Sequence, residues 1–181
     1  MVSFVLDCRS VAAAEAMGVV SVAVCDAAID AGADAGVKWP NDVVLRTPSQ
    51  PRKIAGILAE LHAGPPTRLV VGVGVNLFST PTPNGACLAD HGEITSADEF
   101  LSNVIIKLAS LNDSSEATLE RYRQRSVTLS TDVRVEQPHR SFHGTAIDID
   151  GEYRLVVDRH GQTEVVDVGD VIHLRPASGV S

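Results

Sequence analysis

Two apolar runs, residues 53–61 and 68–78, face each other across the breaker Gly64-Pro65-Pro66. The second, Leu69-Val70-Val71-Gly72-Val73-Gly74-Val75-Asn76-Leu77, is rich in Val and reads as a strand. The first is ambiguous. Ile54, Ile57, Leu58 and Leu61 fit helical spacing, whereas Gly56 and the flanking turns favour a strand, and strand is the reading adopted. Together they predict an antiparallel hairpin. Glycines at 72 and 74 let something approach the strand backbone closely. They do not form a dinucleotide fingerprint, because Leu77 stands where a third Gly belongs and no helix opens there.

The rest of the chain divides into two kinds of sequence. Residues 2–6 are a short apolar run, read as a strand. Ser10 is placed to cap a helix that runs from Val11 to about Ala31, Ala-rich and apolar enough to be buried, and Gly32 stops it. Val37 to Leu45 is a strand interrupted by Pro40, which implies a bulge, edge or bend, so the Trp-Pro-Asn-Asp unit is expected to turn the chain at a cavity. Ser96 with Glu99 three residues on is a capping box for a helix to about Leu111, and a second helix is expected over roughly 115–125. From Thr128 the pattern changes to short strands at 131–136, 143–149, 152–158, 163–166 and 171–174. Asp150-Gly151 and His160-Gly161 mark turns between them. Five such strands in about fifty residues predict a small barrel.

Bulk properties exclude several function classes. Of the 181 residues, 44% are apolar and 21% charged, so a packed core is expected and global disorder is not. The net charge is −8 and the basic residues are dispersed, which argues against nucleic-acid binding through a positive face. Cys8, Cys25 and Cys87 are odd in number, far apart and without Cys-x-x-Cys spacing, so they read as reduced thiols of a cytoplasmic protein. No segment reaches the apolar length of a membrane span. The apolar start lacks a basic n-region and ends at Asp7 and Arg9, so it is not read as a signal peptide. A chain opening directly on a core strand is expected to have lost something upstream.

Candidate chemistry concentrates in Val37-Lys38-Trp39-Pro40-Asn41-Asp42 and in Lys53 of Arg52-Lys53-Ile54-Ala55-Gly56-Ile57-Leu58. Both lysines adjoin apolar runs, and a half-buried lysine needs an anionic partner. For Lys53 the options are Glu60 or a ligand phosphate or carboxylate. Each residue also has a plain structural role to weigh: Lys53 as a strand-entrance lysine with its amine in water, Asn41 and Asp42 as an Asx-turn after Pro40, and Trp39 as core. Asn76 ends its strand and offers an amide. The six histidines show no metal spacing; His139 and His143 fit i, i+4 only on a helix, and their region reads as strand.

Taken in order, Lys-Trp-Pro-Asn-Asp, Arg-Lys-Ile-Ala-Gly-Ile-Leu-x-Glu and Gly-Val-Gly-Val-Asn-Leu resemble the biotin protein ligases (biotin–acetyl-CoA-carboxylase ligases). Phe142-His143-Gly144-Thr145-Ala146-Ile147-Asp148 and Val168-Gly169-Asp170-Val171-Ile172-His173-Leu174-Arg175 resemble that family's SH3-like end domain. The implied fold is α+β: a mixed, mainly antiparallel sheet with helices over residues 1–127, then an SH3-like β-barrel over 128–181. The resemblance implies activation of biotin by ATP, with Mg2+, to biotinyl-5′-adenylate, followed by transfer to a lysine of a biotin carboxyl carrier domain of acetyl-CoA carboxylase. Carried over by position, Lys53 is the lysine contacting the biotin carboxylate and the α-phosphate. Lys38, Asn41 and Asp42 fall on the nucleotide side, Asn76 is an adenine- or phosphate-side contact, Gly72 and Gly74 wall the cavity, and Trp39 and Gly56 are counted among the residues that bind biotin or ATP.

The family also carries an upstream Gly-Arg-rich loop and biotin-lining Ser/Thr-Asn and Gln segments, and this chain contains no Gly-Arg pair. The expectation is therefore an N-terminally truncated catalytic domain, with weak or no activity alone and an exposed sheet edge that invites homodimer pairing. The competing readings are a non-catalytic binding module of the same fold and a lipoate ligase. The Lys-Trp-Pro-Asn-Asp block and the C-terminal barrel favour biotin over lipoate.

Overall fold

In the computed structural model the two apolar runs pair as β4 (Arg52–His62) and β5 (Arg68–Val75), antiparallel, with Gly56 opposite Gly74 and Leu58 opposite Gly72. The structure describes residues 2–7, 12–62, 64, 67–81, 85–94, 96–111, 115–167 and 169–173. β1 (Val2–Asp7) lies along the free side of β5. On the other side, β3 (Asp42–Leu45) and then β2 (Ala35–Lys38) complete a five-stranded antiparallel sheet of order β1-β5-β4-β3-β2. The run expected from 37 to 45 is thus two strands of one hairpin, folded back at Trp39-Pro40-Asn41, with the Trp39–Pro40 peptide cis.

α1 (Ala13–Asp30) covers one face of this sheet. Its residues from Val20 to Ala28 are all buried. Ala and Val let neighbours approach on every side, which suits a helix enclosed by the sheet below and by α2 (Ala97–Ser110) and α3 (Ser115–Arg125) outside. Ala12 occupies its N-cap without a side-chain cap, and Ser10 lies outside the described residues. The Ser96 cap is present, its Oγ accepting from Glu99 N at 3.1 Å. One buried carboxylate ties the helices together: Asp26 of α1 meets Arg121 at 2.8 Å and Arg125 at 2.7 Å, both from α3.

The C-terminal part is a second antiparallel sheet of β6 (Asp132–Gln137), β7 (Arg140–Ile149), β8 (Leu155–Arg159), β9 (Gln162–Val166) and β10 (Asp170–His173), ordered β10-β6-β7-β8-β9. It is the strand-rich, SH3-like end that the sequence suggested. Among the described residues β9 and β10 do not pair, so the ring is not closed by hydrogen bonds. Its buried residues, Val133, Val135, Leu155 and Val157 among them, form one continuous core with α1 and the first sheet. The connection from α3 does not hang free. Val127 N donates to Val37 O at 2.8 Å, and Ser126 bridges Val37 in parallel, so the linker borders β2. Cys25 and Cys87 are buried free thiols, and burial pushes the Cys25 thiol up to about 12.

Candidate active site

Residues directly opposite in an antiparallel ladder project their side chains to the same face. The register therefore draws a row across four strands on the face away from α1: Lys38 opposite Asp42, Asp42 opposite Gly56, Gly56 opposite Gly74. The row brings an ammonium, a carboxylate and two bare backbone positions side by side.

Lys53 joins this row through an irregularity. In an unbroken strand it would share a face with Ala55 and Ile57, which are buried against the core. The β3–β4 register shifts, however: Val43 pairs with Ala55 and Val44 with Lys53, which leaves Ile54 as an extra residue in β4. Such a bulge resets the alternation and re-aims the side chain before it. Lys53 consequently lies on the open face, its Nζ 2.5 Å from Asp42 Oδ1. It lies over Gly56, where a Cβ would come within 3.0 Å of Lys53 Nζ and 3.6 Å of Asp42 Oδ1. The partner is Asp42, not Glu60, which is seven residues further along the same strand and so roughly 23 Å away. The Lys53 side chain is 54% exposed. A pair so wet contributes about 0–1 kcal/mol, so an incoming phosphate or carboxylate can take the ammonium from Asp42.

Beyond Gly56 the same face opens into a cleft of about 330 Å³ lined by Gly56, Leu58, Glu60, Val70, Gly72, Val73 and Gly74. Three glycines lower its floor to bare backbone, and a Cβ at Gly74 would meet nothing within 4 Å. Leu58, 57% exposed, supplies an apolar wall. Leu58 and Glu60 were missed as lining residues, although their i+2 and i+4 spacing from Gly56 on a strand puts them on its face.

The remaining expected residues hold the site rather than face it. Asn41 spends its amide on Ile57 O at 2.8 Å, and Ile57 N returns a bond to Asn41 O at 2.9 Å. Asn76 donates from Nδ2 to Ala86 O at 3.2 Å and to Lys53 O at 3.4 Å, while its own N–H reaches Ile54 O at 2.7 Å. It thereby holds the bulge that aims Lys53. Trp39 is buried at 2% exposure and is no ligand platform in this arrangement. Its indole Nε1 donates to Tyr153 O at 2.9 Å and its backbone N to Thr128 Oγ1 at 3.1 Å. Among the described residues no group of three His, Cys, Asp or Glu is disposed to hold a metal ion.

His173, on β10, closes this cluster. Its Nε2 lies 3.3 Å from Thr128 Oγ1, and burial, with the Lys38 charge nearby, holds its pKa down to about 4. The folded state thus binds the proton less well than the unfolded chain. Stability from the neutral imidazole is complete above the ordinary value of 6.5 and is lost as pH falls toward 4. Thermal melts at pH 7 and pH 5 should show a lower Tm at pH 5, and His173→Gln should shrink that difference. An unchanged difference would show that other groups cause it.

Residues 2–76 match the biotin/lipoate A/B protein ligase family, and residues 132–174 match the biotin protein ligase C-terminal domain. The chain is 38% identical over 152 residues to a biotin–acetyl-CoA-carboxylase ligase of Mycobacterium tuberculosis, an alignment covering 79% of this chain and 54% of that one. It is 30% identical over 187 residues to the ligase of the same name from Paracoccus denitrificans, covering 94% and 70%. The chain belongs to the biotin protein ligase family. It spans about half the length of the Mycobacterium relative. The fold agrees: the biotin protein ligase of Aquifex aeolicus superposes with a TM-score of 0.80 at 18% identity, covering 96% of this chain and 81% of that one. The Aquifex enzyme in complex with biotin and ATP gives 0.79 at 18% identity, over 96% and 77%. Within this biotin protein ligase fold, the three sequence blocks that carried the resemblance are the ones the sheet register brings into a single row.

Proposed function

We propose that this chain activates biotin with ATP and passes the biotinyl group to a lysine of a biotin carboxyl carrier domain. In the first step a biotin carboxylate oxygen bonds to the α-phosphorus, the bond to the β-phosphate breaks, and pyrophosphate leaves. In the second, the neutral amine of the acceptor lysine attacks the acyl carbon, loses a proton, and AMP departs. Joining two anions requires fixed positive charge between them, and Lys53 is the residue proposed to supply it. The glycine-floored cleft would take biotin. Lys38 and Asp42 would serve the nucleotide, with Mg2+ arriving on the triphosphate and Asp42 the carboxylate available to its water shell.

The observation that carries this reading is the seating of the Lys53 ammonium over Gly56 and against Asp42, where the cleft meets the row that continues to Lys38. The proposed acceptor is a carrier subunit of acetyl-CoA carboxylase and the proposed location cytoplasmic; no described helix is long and apolar enough to cross a membrane. A second copy is proposed to pair along the sheet edge at β1, which among the described residues has a partner on one side only. Exchange of labelled pyrophosphate into ATP tests the chemistry. It should require biotin, and lipoate should not replace it. Nucleotide binding without biotin binding or exchange would instead favour a non-catalytic module.

A further inference from the structure

The turn between β2 and β3 is gripped from behind by groups that neither proposed half-reaction uses. From α3, the buried Tyr122 hydroxyl donates to Pro40 O at 3.1 Å. From the β7–β8 loop, Tyr153 O accepts the Trp39 indole N–H. The two tyrosine rings meet edge to face, centroids 5.5 Å apart at 83°. Tyr153 has φ +60°, a conformation uncommon for a bulky residue. Its ring fills a notch over Gly18 of α1, where a Cβ would come within 2.2 Å of it. Its own hydroxyl is buried without a hydrogen-bond partner. What Tyr153 offers the turn is therefore its carbonyl and its ring, not its hydroxyl.

We propose that Tyr122 and Tyr153 form a clasp that fixes the 39–41 turn and so positions Lys38 and Asp42, which flank it, for the nucleotide. The nucleotide part of this rests on the proposed function; the fixing of the turn does not. The two tyrosines are positioning residues. The cleft glycines lie on β4 and β5, outside the turn, so loosening the clasp should disturb the nucleotide end and spare the acid end. Small displacements at a phosphate-binding group are costly because its geometry is set before reaction.

Trp39 is the only Trp in the chain, so its fluorescence reports on the turn directly. Tyr122→Phe keeps the ring and removes one hydrogen bond. It should raise acrylamide quenching of Trp39 and weaken Mg-ATP binding by about fivefold to tenfold, as expected for one lost buried bond. Biotin affinity should barely change, and Tm should fall by only a few degrees, as one lost buried hydrogen bond implies. Tyr153→Phe should leave quenching and both affinities unchanged. Unaltered quenching in Tyr122→Phe overturns the proposal, as does raised quenching with ATP affinity intact, or equal weakening of ATP and biotin. If Tyr122→Phe does not fold, Thr128→Val, which removes the acceptor of the Trp39 amide, takes the same measurements. A parent chain that binds neither ATP nor biotin defeats the proposed function instead, and the clasp then stands or falls on the quenching alone.

Discussion

Lys53→Ala is expected to slow acyl-adenylate formation by about 10²–10³-fold, the usual cost of removing one preorganised electrostatic contact. The same substitution should leave stability within about 1 kcal/mol, because the Lys53 side chain is half in water. That separation of activity from stability marks a residue held for chemistry. Lys53→Arg should not rescue the rate. The ammonium is a compact point charge held over Gly56 beside Asp42, and a longer, planar guanidinium puts its charge elsewhere. Single-turnover formation of biotinyl-adenylate, compared between parent and variant, is the measurement. A near-parental rate in Lys53→Ala would remove Lys53 from the reaction and with it the main support for the proposed function.

Much of this site was legible locally. The two strands of the β4–β5 hairpin, the Ser96 cap and the helix at 115–125 each follow from a pattern spanning a dozen residues or fewer, and each lies where its pattern put it. The glycines of both strands were visible as bare backbone before their mutual register was known. Three things were not legible, for one physical reason. The Ile54 bulge depends on pairing with β3 and on the N–H groups of Asn76 and of Ala86 in the loop beyond it, which donate to the Ile54 and Lys53 carbonyls. The choice of Asp42 over Glu60 depends on that bulge. The burial of Trp39 depends on Thr128 and Tyr153, 89 and 114 residues away. Periodicity describes a segment against water; it carries no information on which distant segment covers it. A residue such as Trp39 can therefore sit inside a functional motif and still act as its foundation.

Gly74 offers the sharpest separation of binding from folding. A Cβ there would meet no atom within 4 Å, and Gly74 is not among the glycines with positive φ, so neither the backbone nor the first side-chain atom of Gly74→Val is strained. Valine also suits a strand, where glycine costs roughly 0.5–1 kcal/mol relative to alanine. The variant should thus melt at or slightly above the parental Tm. The added methyls, however, rise from the floor of the 330 Å³ cleft. Forcing that much extra volume into an occupied pocket costs about 1–3 kcal/mol, so biotin affinity should drop roughly 10- to 200-fold. ATP affinity should hold, since Lys38 and Asp42 stand at the far end of the row. Gly56→Ala should behave differently. Its methyl would press on the Lys53 amine itself, so adenylation should suffer more than biotin binding. Calorimetric titration of both ligands into both variants reads these effects separately. Gly74→Val binding biotin as tightly as the parent would mean that the acid lies elsewhere, because no ligand can share the cleft floor with that side chain.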